Sequence, residues 1–247
     1  MPTARPHPPA APHGSLREVL PDVFFVTGTM AMSVGIVPVR FSRNMTVIRE
    51  GTRLVLVNSV RLDESGLAAL DALGKVTDVI RLAGFHGMDD PFYAERYGAK
   101  VWALAGQSYV SGFDPKAPTY FEAHARLDDA LPIEGASLYR ISARVPEGIL
   151  VLPKHGGMIV SGDSLQNWAA TDEYFSLLGN AMMRLGGFLK AHNVGPAWLQ
   201  NGKPPKTELS GILELPFVNL LPAHGTPVIG GAREAYRPAI ERAVATL

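Results

Sequence analysis

Three short stretches of this 247-residue chain carry side chains that can bind a metal or move a proton. They are Phe85-His86-Gly87-Met88-Asp89-Asp90-Pro91, Val160-Ser161-Gly162-Asp163-Ser164 and Leu221-Pro222-Ala223-His224-Gly225. Each follows an apolar, strand-like run. Imidazoles and carboxylates that converge from loop tips can hold a divalent ion, acidify the water it binds and polarise a carbonyl or phosphoryl oxygen. Each residue also has a purely structural reading. Asp90 before Pro91 suits a helix start, with Asp as cap and Pro at the first helical position. Asp163 after Gly162 suits a turn, His86 beside Gly87 another turn, and His224 a strand exit.

Other chemistries are poorly served. The chain has no cysteine, so disulfides, Cys-based zinc sites and thiol nucleophiles are excluded. Ser164 lies outside any nucleophile-elbow sequence, and no Gly-rich phosphate cradle or dinucleotide fingerprint occurs. The 23 basic and 23 acidic residues cancel without a basic block, which argues against a nucleic-acid partner. No run reaches the roughly 18 apolar residues of a membrane span, and the N-terminal stretch lacks an apolar core of signal-peptide length. The expectation is a cytoplasmic protein with a small-molecule substrate or ligand and no membrane partner, its oligomeric state open.

The elements that must position the three loops alternate along the chain. Residues 24–26, 35–39 and 45–48 read as short strands, and 54–57 as a buried one. A helix follows, capped by Asp63, with Leu67, Leu70 and Leu73 on one face and Gly74 at its close. Residues 79–82 form a strand running into His86, 91–97 a short helix stopped by Gly98, and 100–104 another strand. This succession is a layered α/β signature. Beyond it, 137–142 reads as a strand, and 148–152 with 156–160 as a hairpin around Pro153-Lys154-His155. Residues 175–192 read as a helix, 218–221 as a strand and 232–247 as an amphipathic closing helix. His155 belongs at the hairpin turn, about 20 Å of strand away from Asp163. His124 and His192 read as surface or helix residues. The prolines at 2, 6, 8, 9 and 12 predict a disordered tail over 1–14, with His7 and His13 inert, before one domain over 15–247.

The order and spacing of the three motifs resemble the metallo-β-lactamase superfamily from residue 23 to the C-terminus. That resemblance implies a four-layer αββα sandwich with its site at one edge. The first motif is degenerate. Where the family reads His-x-His-x-Asp-His, this chain reads His86-x-Met88-x-Asp90-Pro91. Carried over position by position, the metal ligands are His86, Asp90, Asp163 and His224. Met88 and Pro91 stand at two histidine positions, and Arg144 falls by spacing at a third. A single ion held by Asp90, Asp163 and His224, with His86 as a fourth ligand or a hydrogen-bonding neighbour, suits zinc first, then iron or manganese. Arg144 would repel an ion, but it could bind an anionic substrate or pair with a carboxylate. Asn58 stands where family members often carry Asp, keeping the hydrogen-bonding shape without the charge. Trp168, Tyr174, Phe175, Met182, Met183, Phe188 and Trp198 lie where the family walls its cleft, or else they pack a helix and loop on the core.

The activity implied is that of a divergent, mononuclear metal-dependent hydrolase of an ester, lactone, amide or phosphoester. Asp90 would serve as ligand or proton acceptor, and Arg144 would orient the substrate. The alternative is a metal-free protein that uses the cleft to bind a ligand or partner without turnover. A third is a filled cleft that serves only assembly.

Overall fold

A computed structural model of the chain describes residues 7–34, 36–110 and 118–247. The first half runs β1 (Arg17–Leu20), β2 (Val23–Val34), β3 (Val37–Glu50), β4 (Arg53–Val57), α1 (Glu64–Leu73), β5 (Lys75–Arg81), α2 (Asp90–Tyr97) and β6 (Lys100–Ala103). A small ribbon of β7 (Tyr109–Val110) and β8 (Thr119–Phe121) precedes β9 (Ala125–Arg126). The second half runs β10 (Ser137–Ile141), β11 (Glu147–Leu152), β12 (Met158–Ser161), β13 (Leu165–Gln166), α3 (Leu177–Leu185), β14 (Asn193–Val194), α4 (Pro196–Gly202), α5 (Lys206–Gly211), β15 (Asn219–Pro222) and α6 (Ala232–Thr246).

One sheet has the order β1-β2-β3-β4-β5-β6-β9, antiparallel as far as β4 and parallel beyond it. The other has the order β10-β11-β12-β15, with only the last pair parallel. Side chains alternate across a strand, and here the alternation sorts the apolar residues into layers. Leu54 and Leu56 pack with Leu67 and Leu70 of α1 and Phe92 and Tyr93 of α2. Their neighbours Val55 and Val57 face inward, against Leu150, Leu152, Val160 and Leu221 of the second sheet. Ile149 and Val151 face outward again, against Ile212, Tyr236 and Ile240. Helix, sheet, sheet and helix therefore stack as four layers around three apolar interfaces, the αββα sandwich that the motif order predicts.

Several elements differ from the sequence expectation. The short strands over 24–26, 35–39 and 45–48 are parts of one long hairpin, β2 and β3, paired from Val23↔Ile48 to Val34↔Val37; Gly35 lies outside the described residues. The polar residues that interrupt the apolar pattern are satisfied from outside the strand pair. Thr29 Oγ1 donates to the Pro12 carbonyl (2.7 Å), and Asn44 Nδ2 to those of Pro222 (3.0 Å) and Gly225 (2.6 Å). Helix α3 stops at Leu185 rather than running to 192, because Gly186 and Gly187 follow and Gly187 takes φ 73°. Helix α2 starts at Asp90, one residue earlier than expected, and no side chain caps it.

Within the expected tail, residues 1–6 lie outside the described residues, while residues further on are held against the domain. Thr29 N donates to Pro12 O (2.9 Å), Gly14 N to Thr27 O (2.8 Å) and Asp63 N to His13 Nε2 (2.8 Å). His13 thus supports the start of α1, where Asp63 Oδ1 accepts from Gly66 N (2.8 Å). His155 sits at the β11–β12 turn and bonds the Pro21 carbonyl (3.0 Å), at the far end of β12 from Asp163.

Candidate metal centre

Parallel pairing of β12 with β15 aligns Ser161 with Pro222. Two residues beyond each of these come Asp163 and His224, so both side chains leave the sheet at the same edge. His86 arrives from the facing sheet, in the loop after β5. There Gly148 N donates to Leu82 O (2.9 Å), and a bridge pairs Ala83 with Glu147, closing the two sheets together. Gly162 permits the approach, since a Cβ there would sit 2.4 Å from that of Ala83.

At this edge three ligand atoms converge. His86 Nε2 lies 3.4 Å from Asp163 Oδ1 and 3.2 Å from His224 Nε2, and His224 Nε2 lies 3.1 Å from Asp163 Oδ1. All three residues are buried. A tetrahedral ion with bonds of 2.0–2.1 Å sets its ligand atoms about 3.3 Å apart, so the spacing suits a metal of zinc's size. Two further observations agree. Asp163 Oδ2 is buried and, among the described residues, has no hydrogen-bond partner. His224 Nδ1 lies 3.2 Å from the Ser42 carbonyl, an acceptor that orients the ring with Nε2 turned towards His86 and Asp163.

The electrostatics point the same way. Burial lowers the His86 pKa, outweighing the nearby Asp163 charge, and so favours the neutral imidazole that binds metals. Burial alone would raise Asp163, but the adjacent His86 and His224 outweigh it and hold the carboxyl below the usual range. Beneath the loop lies Glu147, fully buried. Its Oε2 accepts from Asp163 N (3.0 Å) and its Oε1 from Ser164 N (2.7 Å). Burial and the Asp163 charge push Glu147 up to about 8.

Asp90, expected as a ligand and as a proton acceptor, is not part of this group. It is fully buried, with Oδ1 accepting from Ser59 Oγ (2.6 Å) and Oδ2 from the Tyr109 hydroxyl (2.6 Å). Each oxygen thus accepts one hydroxyl, and among the described residues the converging ligand group contains only His86, Asp163 and His224. Burial raises its pKa, against the pull of those hydroxyls and of Arg81. Asp89 forms a buried ion pair with Arg43. Arg144 is exposed on the cleft wall and, among the described residues, pairs with neither Asp90 nor Asp163. Met88 also lies in the cleft wall, partly exposed. Asn58 spans the sheets, donating from Nδ2 to Ser161 O (3.0 Å) while its Oδ1 accepts from Leu82 N (3.3 Å).

The cleft has two lobes that share His86, Phe85, Met30, Met32, Met88 and Val145. One, of about 610 Å³, reaches Arg81, Gln107 and Arg144. The other, of about 570 Å³, contains Asp163 and His224 and is walled by Phe41, Trp168, Met182, Met183, Phe188 and Trp198. The Trp168 ring lies 4.7 Å from that of His224, and its Nε1 donates to Ser42 Oγ (2.9 Å).

The fold recurs in solved structures. The mono-zinc form of the metallo-β-lactamase FIM-1 from Pseudomonas aeruginosa superposes over 96% of this chain and 99% of its own, with TM-score 0.57 and 15% identity. VMB-1 does so over 94% and 97%, with TM-score 0.62 and 11% identity. A metallo-β-lactamase from Erythrobacter litoralis gives TM-score 0.52 at 16% identity over 93% and 90%. The chain has the metallo-β-lactamase fold. Its sequence matches no family model and no curated protein.

Within that fold, Glu147, Ser59, Tyr109, Arg43 and Asp89 escaped the sequence reading. Glu147 left one trace, a lone carboxylate opening the otherwise apolar strand β11. Nothing in the sequence joins Asp90 to Ser59, 31 residues before it, or to Tyr109, 19 after it.

Proposed function

We propose that the protein is a mononuclear metal-dependent hydrolase whose single ion is held by His86, Asp163 and His224. The observation that carries this is the meeting of three ligand atoms at 3.1–3.4 Å beside a buried carboxylate oxygen without a partner among the described residues. Two imidazoles and a carboxylate suit zinc, and also iron or manganese. Such an ion would supply a Lewis acid for a carbonyl or phosphoryl oxygen and acidify water. FIM-1, which shares the fold, is known in a mono-zinc form.

The chain's own residues support one ion rather than two. Pro91 has no donor atom, the Met88 thioether suits soft ions, and Asp90 accepts from Ser59 and Tyr109 outside the converging group. Ser42 orients His224, and Glu147 fixes the backbone on either side of the Asp163 side chain. Trp168 and the methionines exclude water from one side of the cleft. Arg144, in the other lobe, would receive an anionic group of an ester, lactone, amide or phosphoester.

Elemental analysis by plasma mass spectrometry of untagged protein, beside Asp163→Ala, tests the assignment. About one equivalent of zinc, iron or manganese, lost in the variant, is the expected result. No metal in either protein after incubation with excess ions would refute it and leave a cleft that binds its ligand without a metal.

A further inference from the structure

We infer that α3 and the tip of the β2–β3 hairpin form a docking rim for an anionic lipid surface, seated over the apolar lobe of the cleft. Helix α3, Leu177-Leu178-Gly179-Asn180-Ala181-Met182-Met183-Arg184-Leu185, is apolar on nearly every side. Its inner side is accounted for, with Met183 and Met182 packing against Val39, Phe41, Trp168, Met30 and Met32. Its outer side is not, since Leu177 is 92% and Leu185 91% exposed and Leu178 is exposed as well. An apolar helix normally hides both sides. At the hairpin tip Ile36 is 99% exposed, and Val37 beside it is exposed too.

These two segments form one structure. Ser176 N donates to Arg40 O (3.1 Å), and Arg40 N donates to Ser176 Oγ (3.2 Å). Gly179 lets the helix lie directly on the strand, because a Cβ there would stand 2.1 Å from the Arg40 carbonyl oxygen. The rim is also continuous with the cleft, for Met30, Met32, Met182 and Met183 of the same segments line the apolar lobe.

Charge selects the surface. The chain is neutral overall, yet no Asp or Glu occurs from Val23 to Arg49 or from Tyr174 to His192. Asp172 and Glu173 are the nearest carboxylates before α3. Exposed Arg40 and Arg184 give the strand and helix of the rim positive charge, and exposed Lys190 follows five residues after the helix. Apolar side chains beside cations favour the boundary of an anionic bilayer, and lying on a surface requires no spanning segment. Among the described residues no helix is long and apolar enough to cross a membrane. Flexible thioethers adapt to apolar chains of varied shape, so the lobe beneath would receive the acyl chain of a lipid drawn from that surface.

Flotation of the full chain with vesicles of phosphatidylcholine and phosphatidylglycerol in equal parts tests the rim. Expected is co-flotation with these vesicles, with binding about ten-fold weaker both to pure phosphatidylcholine and in the variant Ile36→Ser/Leu177→Ser/Leu185→Ser. All three positions are more than nine-tenths exposed, so the circular dichroism and melting of the variant should match the wild type. No binding to the anionic vesicles, or equal binding by the variant, would overturn the inference. So would a wild-type dimer in sedimentation velocity that the variant converts to monomer, since the rim would then belong to a second copy. Flotation needs no metal, and Asp163→Ala should float as the wild type does. A chain that floats but binds no ion would fail the hydrolase assignment alone.

Discussion

Tyr109→Phe removes one oxygen atom and separates the two roles open to Asp90. The Tyr109 ring keeps its edge contact with Phe121, centroids 5.0 Å apart, and stays beneath the Arg81 guanidinium at 4.4 Å. What disappears is the 2.6 Å hydrogen bond to Asp90 Oδ2, in a place where water does not reach. A short bond to a carboxylate is of the charge-assisted kind, and losing it at a buried acceptor costs about 1.5–3 kcal/mol. A chain of this length has a melting entropy of about 0.5 kcal/mol per degree, so the melting temperature should fall by about 3–6 °C. Urea titration should show the midpoint lowered at constant slope. The metal content should not change, because His86, Asp163 and His224 keep their positions. Two results would refute this. Stability within about 0.5 kcal/mol of wild type would mean that the Tyr109–Asp90 bond carries no weight. Loss of metal at unchanged stability would return Asp90 to the ligand set.

Three further outcomes are expected. Glu147→Ala leaves the N–H groups of Asp163 and Ser164 buried without acceptors; it should cost about 3 kcal/mol in urea melts and weaken zinc about 10–100-fold in chelator competition. Because burial lowers His86 below its ordinary value of 6.5, the folded state binds fewer protons there than the unfolded state. That contribution is present above the ordinary value and is lost as pH falls through it, so metal-free protein should lose up to about 1.4 kcal/mol per pH unit in that window. Melts of His86→Gln across the same window should be flatter, and an equal slope would count against a buried neutral imidazole. Leu67→Ala empties a site that is 1% exposed between α1 and the first sheet, and calorimetry should register about 2–5 kcal/mol of destabilisation.

The layers were legible because periodicity survives without tertiary information. Leu67 and Leu70 declared a helix face, and the apolar runs before His86, Asp163 and His224 declared strands. That their ends share one edge was implied by the family resemblance, which put His86, Asp90, Asp163 and His224 together; the structure brings together His86, Asp163 and His224. Asp90 shows what such an alignment misses. Its position in the motif is that of a ligand, but orientation is decided by whichever donors the fold presents, and Ser59 and Tyr109 come from distant segments. The long β2–β3 hairpin was hidden for a related reason. Thr29 and Asn44 look like interruptions until Pro12, Pro222 and Gly225 are seen to accept their hydrogen bonds. The end of α3 was available in Gly186-Gly187, but the apolar residues beyond it suggested a longer helix.

Asn58 bears on how this chain could be redesigned. It adopts φ 55°, a left-handed conformation that Asn tolerates better than most residues. Its amide donates to one sheet through Ser161 O while its oxygen accepts from the other through Leu82 N. An aspartate in that place could accept but not donate, and would set oxygen against oxygen across the junction. Histidines introduced at 88 and 91 would add donor atoms to the loop after His86, whereas a carboxylate introduced at 58 would open the seam between the sheets. Any redesign of this chain that places a carboxylate at position 58 therefore has to remodel the strand end at Ser161 as well.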